Sequence, residues 1–271
     1  MKPLLPSFPT LQHASAAEAV TALYAGDPAV EAVLLMGSCA RGKAVTGSCV
    51  DVLVLARPEV LKAERPRLEA LWQQHYPADP VYQELLALAP FAHVDFELID
   101  GDFDPARHYH GWTSGADAFE LEVGNTLAYS VPLWERPGGG YYQALRARWL
   151  PYYNEDLRRE RLAMVLKYCR NNLAHIPGYA PRGLYFQSFK RLYHAFDEFL
   201  QALFIARRVY PIAYDKWVQE GVAEVLGLPE LYARLPRLLE IRHFESLEVV
   251  EKARELGELV EEWIGEEGIG D

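Results

Sequence analysis

Three carboxylates and a glycine turn have the types and spacing to do chemistry in this chain. The stretch from Leu34 to Leu55 reads LLMGSCARGKAVTGSCVDVLVL, in which one apolar run ends at Gly37-Ser38 and a second, β-branched run opens with Asp51. Further on, His93 to Ile99 reads HVDFELI. Side chains two apart in a strand share a face, so Asp95 and Glu97 project together while Val94, Phe96 and Leu98 point into a core. If the two runs are neighbours, Asp51 and Asp95 can share a divalent cation just beyond the Gly37-Ser38 turn. Carboxylate oxygens are hard ligands that suit Mg²⁺ and leave its other positions to phosphate and water. Two such ions would orient an attacking hydroxyl and stabilise a pyrophosphate leaving group.

The same stretch comes close to a phosphate-binding P-loop, with Gly37, Gly42 and Lys43 in the matching positions. That reading fails twice. Ala44 has no hydroxyl for Mg²⁺ where the motif requires Ser or Thr. A P-loop also opens a helix toward the phosphates, and the run Val50 to Leu55 follows too soon to leave room for one.

The elements that must hold these residues are legible in outline. Ser15 and Glu18 form a capping box for a short first helix that stops at Gly26. Val30 to Met36 reads as a buried strand, Val50 to Leu55 as a second, and His93 to Ile99 as a third. Pro66 to His75 reads as a helix, and mixed α/β character extends to Trp134. Pro137 to Gly140 (PGGG) then marks a domain boundary, because consecutive glycines weaken any regular element. Beyond it, apolar residues recur at three and four from Phe189 to Phe204 and from Val249 to Trp263. Arg158 to Cys169 is similar, so an antiparallel bundle is expected, with connections at Pro177-Gly178, Pro211 and Gly227 to Pro229. The expected domains are 1–137 and 138–271.

Composition bounds the partners. The chain has 271 residues, is half apolar and carries a formal net charge of −11. It can bury a sizeable core, and its charge disfavours a long nucleic acid, whose binders rely on Lys and Arg facing phosphates. Cys39, Cys49 and Cys169 show no CxxC spacing and form no even disulfide set, which fits a reducing cytoplasm. No run has the length of a membrane span, so a membrane partner is not expected.

With these residues in view, Leu35 to Val54 resembles the signature of the nucleotidyltransferase superfamily that includes DNA polymerase β and the antibiotic nucleotidyltransferases. The matching positions are Gly37-Ser38, Ala40-Arg41-Gly42, Ser48 and Asp51, with VDFELI around Asp95 resembling the strand of the third carboxylate. The resemblance covers about the first hundred residues, and a weaker one touches LFIARRVYPIAYDKW from Leu203 to Trp217. It implies an α+β architecture: a nucleotidyltransferase-fold N-terminal domain with a mixed sheet, an all-α C-terminal helical bundle, and a cleft between them. The implied activity is transfer of a nucleoside monophosphate, AMP from ATP, to a hydroxyl of a small-molecule acceptor, with release of pyrophosphate. The implied cofactor is Mg²⁺ or Mn²⁺. Asp51 and Asp95 are then the catalytic pair and, with Glu97, the metal ligands. Gly37, Ser38, Arg41, Ser48 and Lys216 would contact the nucleoside triphosphate. The acidic net charge suits a cationic acceptor.

One residue departs from that pattern. Cys49 stands where the first metal carboxylate is expected, and a thiol is a softer ligand than Mg²⁺ prefers. This leaves a second reading open, in which the fold binds a nucleotide or another ligand without transferring it. Plainer alternatives stand beside each assignment. Asp95 and Glu97 could be the solvent face of an edge strand, and Cys49 a small buried residue. His108 and His110 lack a third ligand. Glu120 and Glu122 are candidates for a general base only by position. Arg158, Arg159 and Arg161 read by default as a solvated helix face.

Overall fold

The computed structural model describes residues 4–101 and 124–265. Helix α1 (Leu11–Tyr24) leads into strand β1 (Ala32–Leu35), a single helical turn α2 (Gly37–Ala40) and strand β2 (Val50–Leu55). Helices α3 (Pro58–Ala78) and α4 (Pro80–Leu86) precede β3 (Val94–Ile99). After α5 (Asn125–Tyr129), β4 (Val131–Glu135) and α6 (Tyr141–Trp149), the remaining described chain is helical. It comprises α7 (Glu155–Tyr179), α8 (Tyr185–Arg207), α9 (Pro229–Leu238) and α10 (Glu248–Trp263). The architecture is α+β, with one mixed sheet and a set of packed helices.

The sheet runs in the order β3-β2-β1-β4. β1 is antiparallel to both β2 and β4, while β2 and β3 are parallel. The register pairs Val50 with Val94, Asp51 with Asp95, Val52 with Phe96 and Leu53 with Glu97. Alternation then sorts the faces. Val33, Leu35, Val50, Val52, Val54, Val94 and Leu98 pack with Val20, Tyr24, Leu61 and Leu68 of the flanking helices. Phe96 fixes β3 in this orientation, because its ring stacks on Trp72 at 4.7 Å and on Tyr24 at 5.3 Å between centroids. Rotating β3 by one residue would bury Asp95 and Glu97 against those rings. The carboxylates therefore lie on the other face.

Several helix boundaries differ from the sequence reading. α1 starts at Thr10, whose hydroxyl accepts from the His13 amide at 3.4 Å, so Ser15 and Glu18 sit inside the helix instead of capping it. Its buried face is built largely from Ala16, Ala17 and Val20, and alanines give a weak periodic signal. α3 begins eight residues before Pro66, which lies within it on the exposed side. A proline there removes one hydrogen bond, but the freed carbonyl of the exposed Lys62 can be solvated. Pro177 is likewise inside α7. The chain turns instead at Gly183, whose φ of +74° favours glycine. Strand β4 has no period that separates it from a loop, and the sequence did not reveal it.

Packing divides the described residues into two units. The first holds residues up to Gly101 together with Asn125–Leu150, so β4 and α6, on either side of the glycine run, both belong to it; the second holds Gly124 and the described residues from Pro151 onward. In the second unit, α7 and α8 contribute Leu162, Val165, Cys169, Ala195, Phe199 and Leu203 to a core shared with α9 and α10. Among the described residues no helix is long and apolar enough to cross a membrane.

Candidate active site

The site is built where β1 hands over to the helical turn. The Met36 amide donates to the Asp51 carbonyl at 2.8 Å, which holds the end of β1 beside the start of β2. Gly37 follows with φ +64°. A Cβ there would lie 1.9 Å from Asp51 Oδ2 and 2.7 Å from its Cγ. The Asp51 carboxylate thus lies directly against the glycine, and glycine is the residue that leaves room for it. Ser38, Cys39 and Ala40 are buried. The Ser38 carbonyl accepts from the Lys43 amide at 2.9 Å, and no helix begins at Lys43. The P-loop alternative is thereby closed.

β2 and β3 bring the carboxylates together. One ligand atom from each of Cys49, Asp51 and Asp95 lies within 4.8 Å of the others. The Cys49 thiol donates to Asp51 Oδ1 at 3.3 Å, and His93 Nε2 donates to Asp95 Oδ1 at 2.9 Å. Gly37, Asp51, Asp95 and Glu97 line a cleft of about 470 Å³, with Leu53 as part of its apolar floor. Glu97 is in register with Leu53 and lines this cleft outside the three-atom cluster. His93 was readable in the sequence, since it stands two residues before Asp95 and so on its face. His13 was not. It is fully buried, and its Nε2 donates to the Ser48 carbonyl at 3.0 Å while Nδ1 meets the Thr10 hydroxyl at 2.8 Å. This ties the start of α1 to the residue before Cys49, a contact across 35 positions with no local signal.

The remaining sequence candidates are placed as follows. The Ser48 hydroxyl accepts from the Val45 amide at 2.9 Å and closes its own turn. Arg41 follows the helical turn directly and is half-buried. Lys216 belongs to the second unit, where its exposed ammonium lies 5.7 Å from the Trp217 ring centre. Arg158 and Arg161 are buried rather than solvated, Arg158 pairing with Glu155 at 2.7 Å, because the α7 face they occupy turns inward. His108, His110, Glu120 and Glu122 lie outside the described residues.

Electrostatics explains the state of the thiols. Burial, then the charge of Asp51 and its hydrogen bond, pushes the Cys49 thiol up to about 12, with Asp95 adding to the effect. Burial and Asp51 likewise raise Cys39 to about 11. Both are protonated donors at neutral pH. The Cys39 thiol points at the Cys49 carbonyl, 3.6 Å away, and all three cysteines are free. As a cation site, Asp51 and Asp95 offer hard oxygens from one wall and fit a single divalent ion. The third donor of the cluster is sulfur, which suits a second hard cation poorly.

No family model matches the chain, and no curated protein matches it. Among solved structures it is similar to a nucleotidyltransferase-like protein from Exiguobacterium sibiricum 255-15, at 13% identity and a TM-score of 0.46, over 94% of this chain and 77% of that one. A likeness of this degree speaks to neither activity nor ligand.

Proposed function

We propose that this protein binds a nucleoside triphosphate, ATP, beside Gly37 and transfers its nucleoside monophosphate to a hydroxyl of a small molecule. The observation that carries the reading is the register of Asp51 with Asp95 on adjacent parallel strands, with the Asp51 carboxylate against the Gly37 turn. Two carboxylates held side by side beside a close backbone turn suit a triphosphate brought in with a divalent cation. Asp51 and Asp95 would hold that cation, with Glu97 as a further oxygen in the same cleft. Bound Mg²⁺ or Mn²⁺ would offset charge on the phosphate oxygens. In the roles implied by the sequence resemblance, Ser38, Arg41 and Ser48 contact the phosphates; His93, which donates to Asp95 Oδ1, would keep that carboxylate in place. The acceptor hydroxyl oxygen bonds to the α-phosphorus as its O–H bond breaks and the proton passes to solvent, the bond from that phosphorus to its bridging oxygen breaks, and pyrophosphate leaves. The free cysteines suit a reducing cytoplasm, and the net charge of −11 favours a cationic acceptor over a nucleic acid.

Cys49 supports a second reading, in which the fold binds the nucleotide without turning it over. Calorimetry with Mg²⁺-ATP and pyrophosphate release across a panel of hydroxyl acceptors separate the two. Binding that Asp51→Asn weakens by about 1 to 3 kcal/mol, together with release, is the expected result. Binding without release on a broad panel selects the binding module. Equal affinity in both proteins removes Asp51 from the site, and absence of nucleotide binding overturns both readings.

A further inference from the structure

The cluster that would hold the cation differs from an all-oxygen site in its own atoms. We infer that Cys49 is a direct metal ligand, and that Cys49, Asp51 and Asp95 together select one cation of borderline softness, Zn²⁺ or Co²⁺, over Mg²⁺. The inference rests on the cation site of the proposed function and changes which ion occupies it.

Geometry supports a shared ion. The three donor atoms converge within 4.8 Å, and Cys49 Sγ is 3.3 Å from Asp51 Oδ1. Tetrahedral zinc with sulfur at about 2.3 Å and oxygen at about 2.1 Å sets its ligands roughly 3.6 Å apart. The pair therefore needs to open by only a few tenths of an ångström, which a half-buried side chain in a cleft can do. Magnesium requires near-octahedral oxygen ligation, and here a sulfur occupies the place beside Asp51. Preference follows from donor type: a thiolate favours zinc and cobalt, whereas carboxylates alone favour magnesium.

The protein prepares the two oxygen ligands unequally. The Nε2–H of His93 holds Asp95 Oδ1, leaving Oδ2 for the ion. Such a partner fixes ligand orientation and commonly changes metal affinity by about 10- to 100-fold. Asp51 is held through Gly37, against which its Oδ2 rests. Three protein ligands leave the fourth tetrahedral position open for a phosphate oxygen or water. When the ion enters, the Cys49 S–H bond breaks, the sulfur electron pair forms the bond to the metal, and the proton leaves to solvent.

The test uses the full chain freed of metal and the metal alone. Titration with Co²⁺ is expected to produce a sulfur-to-cobalt charge-transfer absorption that Zn²⁺ displaces and a large excess of Mg²⁺ does not. Cys49→Ala and Cys49→Ser should each abolish the band while the other two thiols remain, and thermal melts report that the variants fold. His93→Ala should keep the band and weaken Co²⁺ by at least about tenfold. A band that survives both Cys49 substitutions, cobalt binding without a band, or displacement by Mg²⁺ at comparable concentration would each overturn the inference. Mg²⁺-ATP binding is read separately, so loss of the nucleotide reading leaves the cobalt result intact and the reverse.

Discussion

At the scale of single residues, Gly37 and Cys49 set the site in opposite ways. Gly37 permits the close approach of Asp51, and any side chain there meets both a positive φ and the carboxylate. A left-handed conformation costs a non-glycine residue about 1 to 2 kcal/mol. Gly37→Ala should therefore lower unfolding free energy in urea by roughly 2 to 3 kcal/mol, once displacement of Asp51 is added. Adding Asp51→Ala should recover the part due to the clash and leave the part due to φ. Equal stability of the single variant and the wild type would refute the described turn. On the metal-ligand proposal, Cys49 acts on the choice of ion. Cys49→Asp supplies a third oxygen, and it should raise Mg²⁺ occupancy and pyrophosphate release by about tenfold, equivalent to roughly 1.4 kcal/mol. Unchanged release with an acceptor that the wild type uses would show that position 49 does not limit the reaction.

At the scale of elements, the α7–α8 pair is joined by a buried polar link as well as by apolar packing. Arg191 donates to Asn172 Oδ1 at 2.7 Å, and Asn172 Nδ2 donates to Glu198 Oε2 at 2.8 Å. All three side chains are buried. The amide thus mediates between a guanidinium and a carboxylate across the helix interface. Asn172→Ala removes one partner from each charged group, and losing hydrogen bonds to buried charges costs about 1.5 to 3 kcal/mol apiece before relaxation. A loss of roughly 2 to 3 kcal/mol in urea denaturation is expected. A loss of a few tenths, the cost of an exposed helix substitution, would show that water replaces the amide.

At the scale of the whole molecule, one carboxyl makes stability depend on pH against the usual trend. Burial, and then Asp215 and Glu198, pushes Asp197 up to about 7. Its Oδ1 is buried without a hydrogen-bond partner among the described residues. In the unfolded chain an aspartate titrates near 4. Between about pH 4 and 7 the folded state therefore holds a proton that the unfolded state has released. The stabilisation from Asp197 is complete below that window and is lost as pH rises through about 7. Asp197→Asn cannot titrate, so its melting temperature should gain on that of the wild type as pH rises from 5 to 8. Parallel curves for the two proteins would place Asp197 in contact with water.

The sequence by itself determined the strands that carry Asp51, Asp95 and Glu97. Period-two alternation in HVDFELI and the apolar, β-branched run VDVLVL that opens with a single acid are local properties, and the alternation puts Asp95 and Glu97 on one face of their strand. It also determined that no phosphate-binding helix begins at Lys43, because β2 follows too soon, although the turn itself closes as the short helix α2 (Gly37–Ala40) that the sequence did not reveal. Tertiary structure decided the rest. The register that sets Asp51 beside Asp95 depends on the parallel pairing of β2 with β3 across the intervening helices. The contact of Gly37 with the Asp51 carboxylate depends on how β1 ends against β2. His13 reaches Ser48 only because α1 packs against β2, and β4 joins β1 from far along the chain. These are contacts between residues distant in sequence. No spacing encodes them, because their energy arises only when separate elements exclude water from the same space.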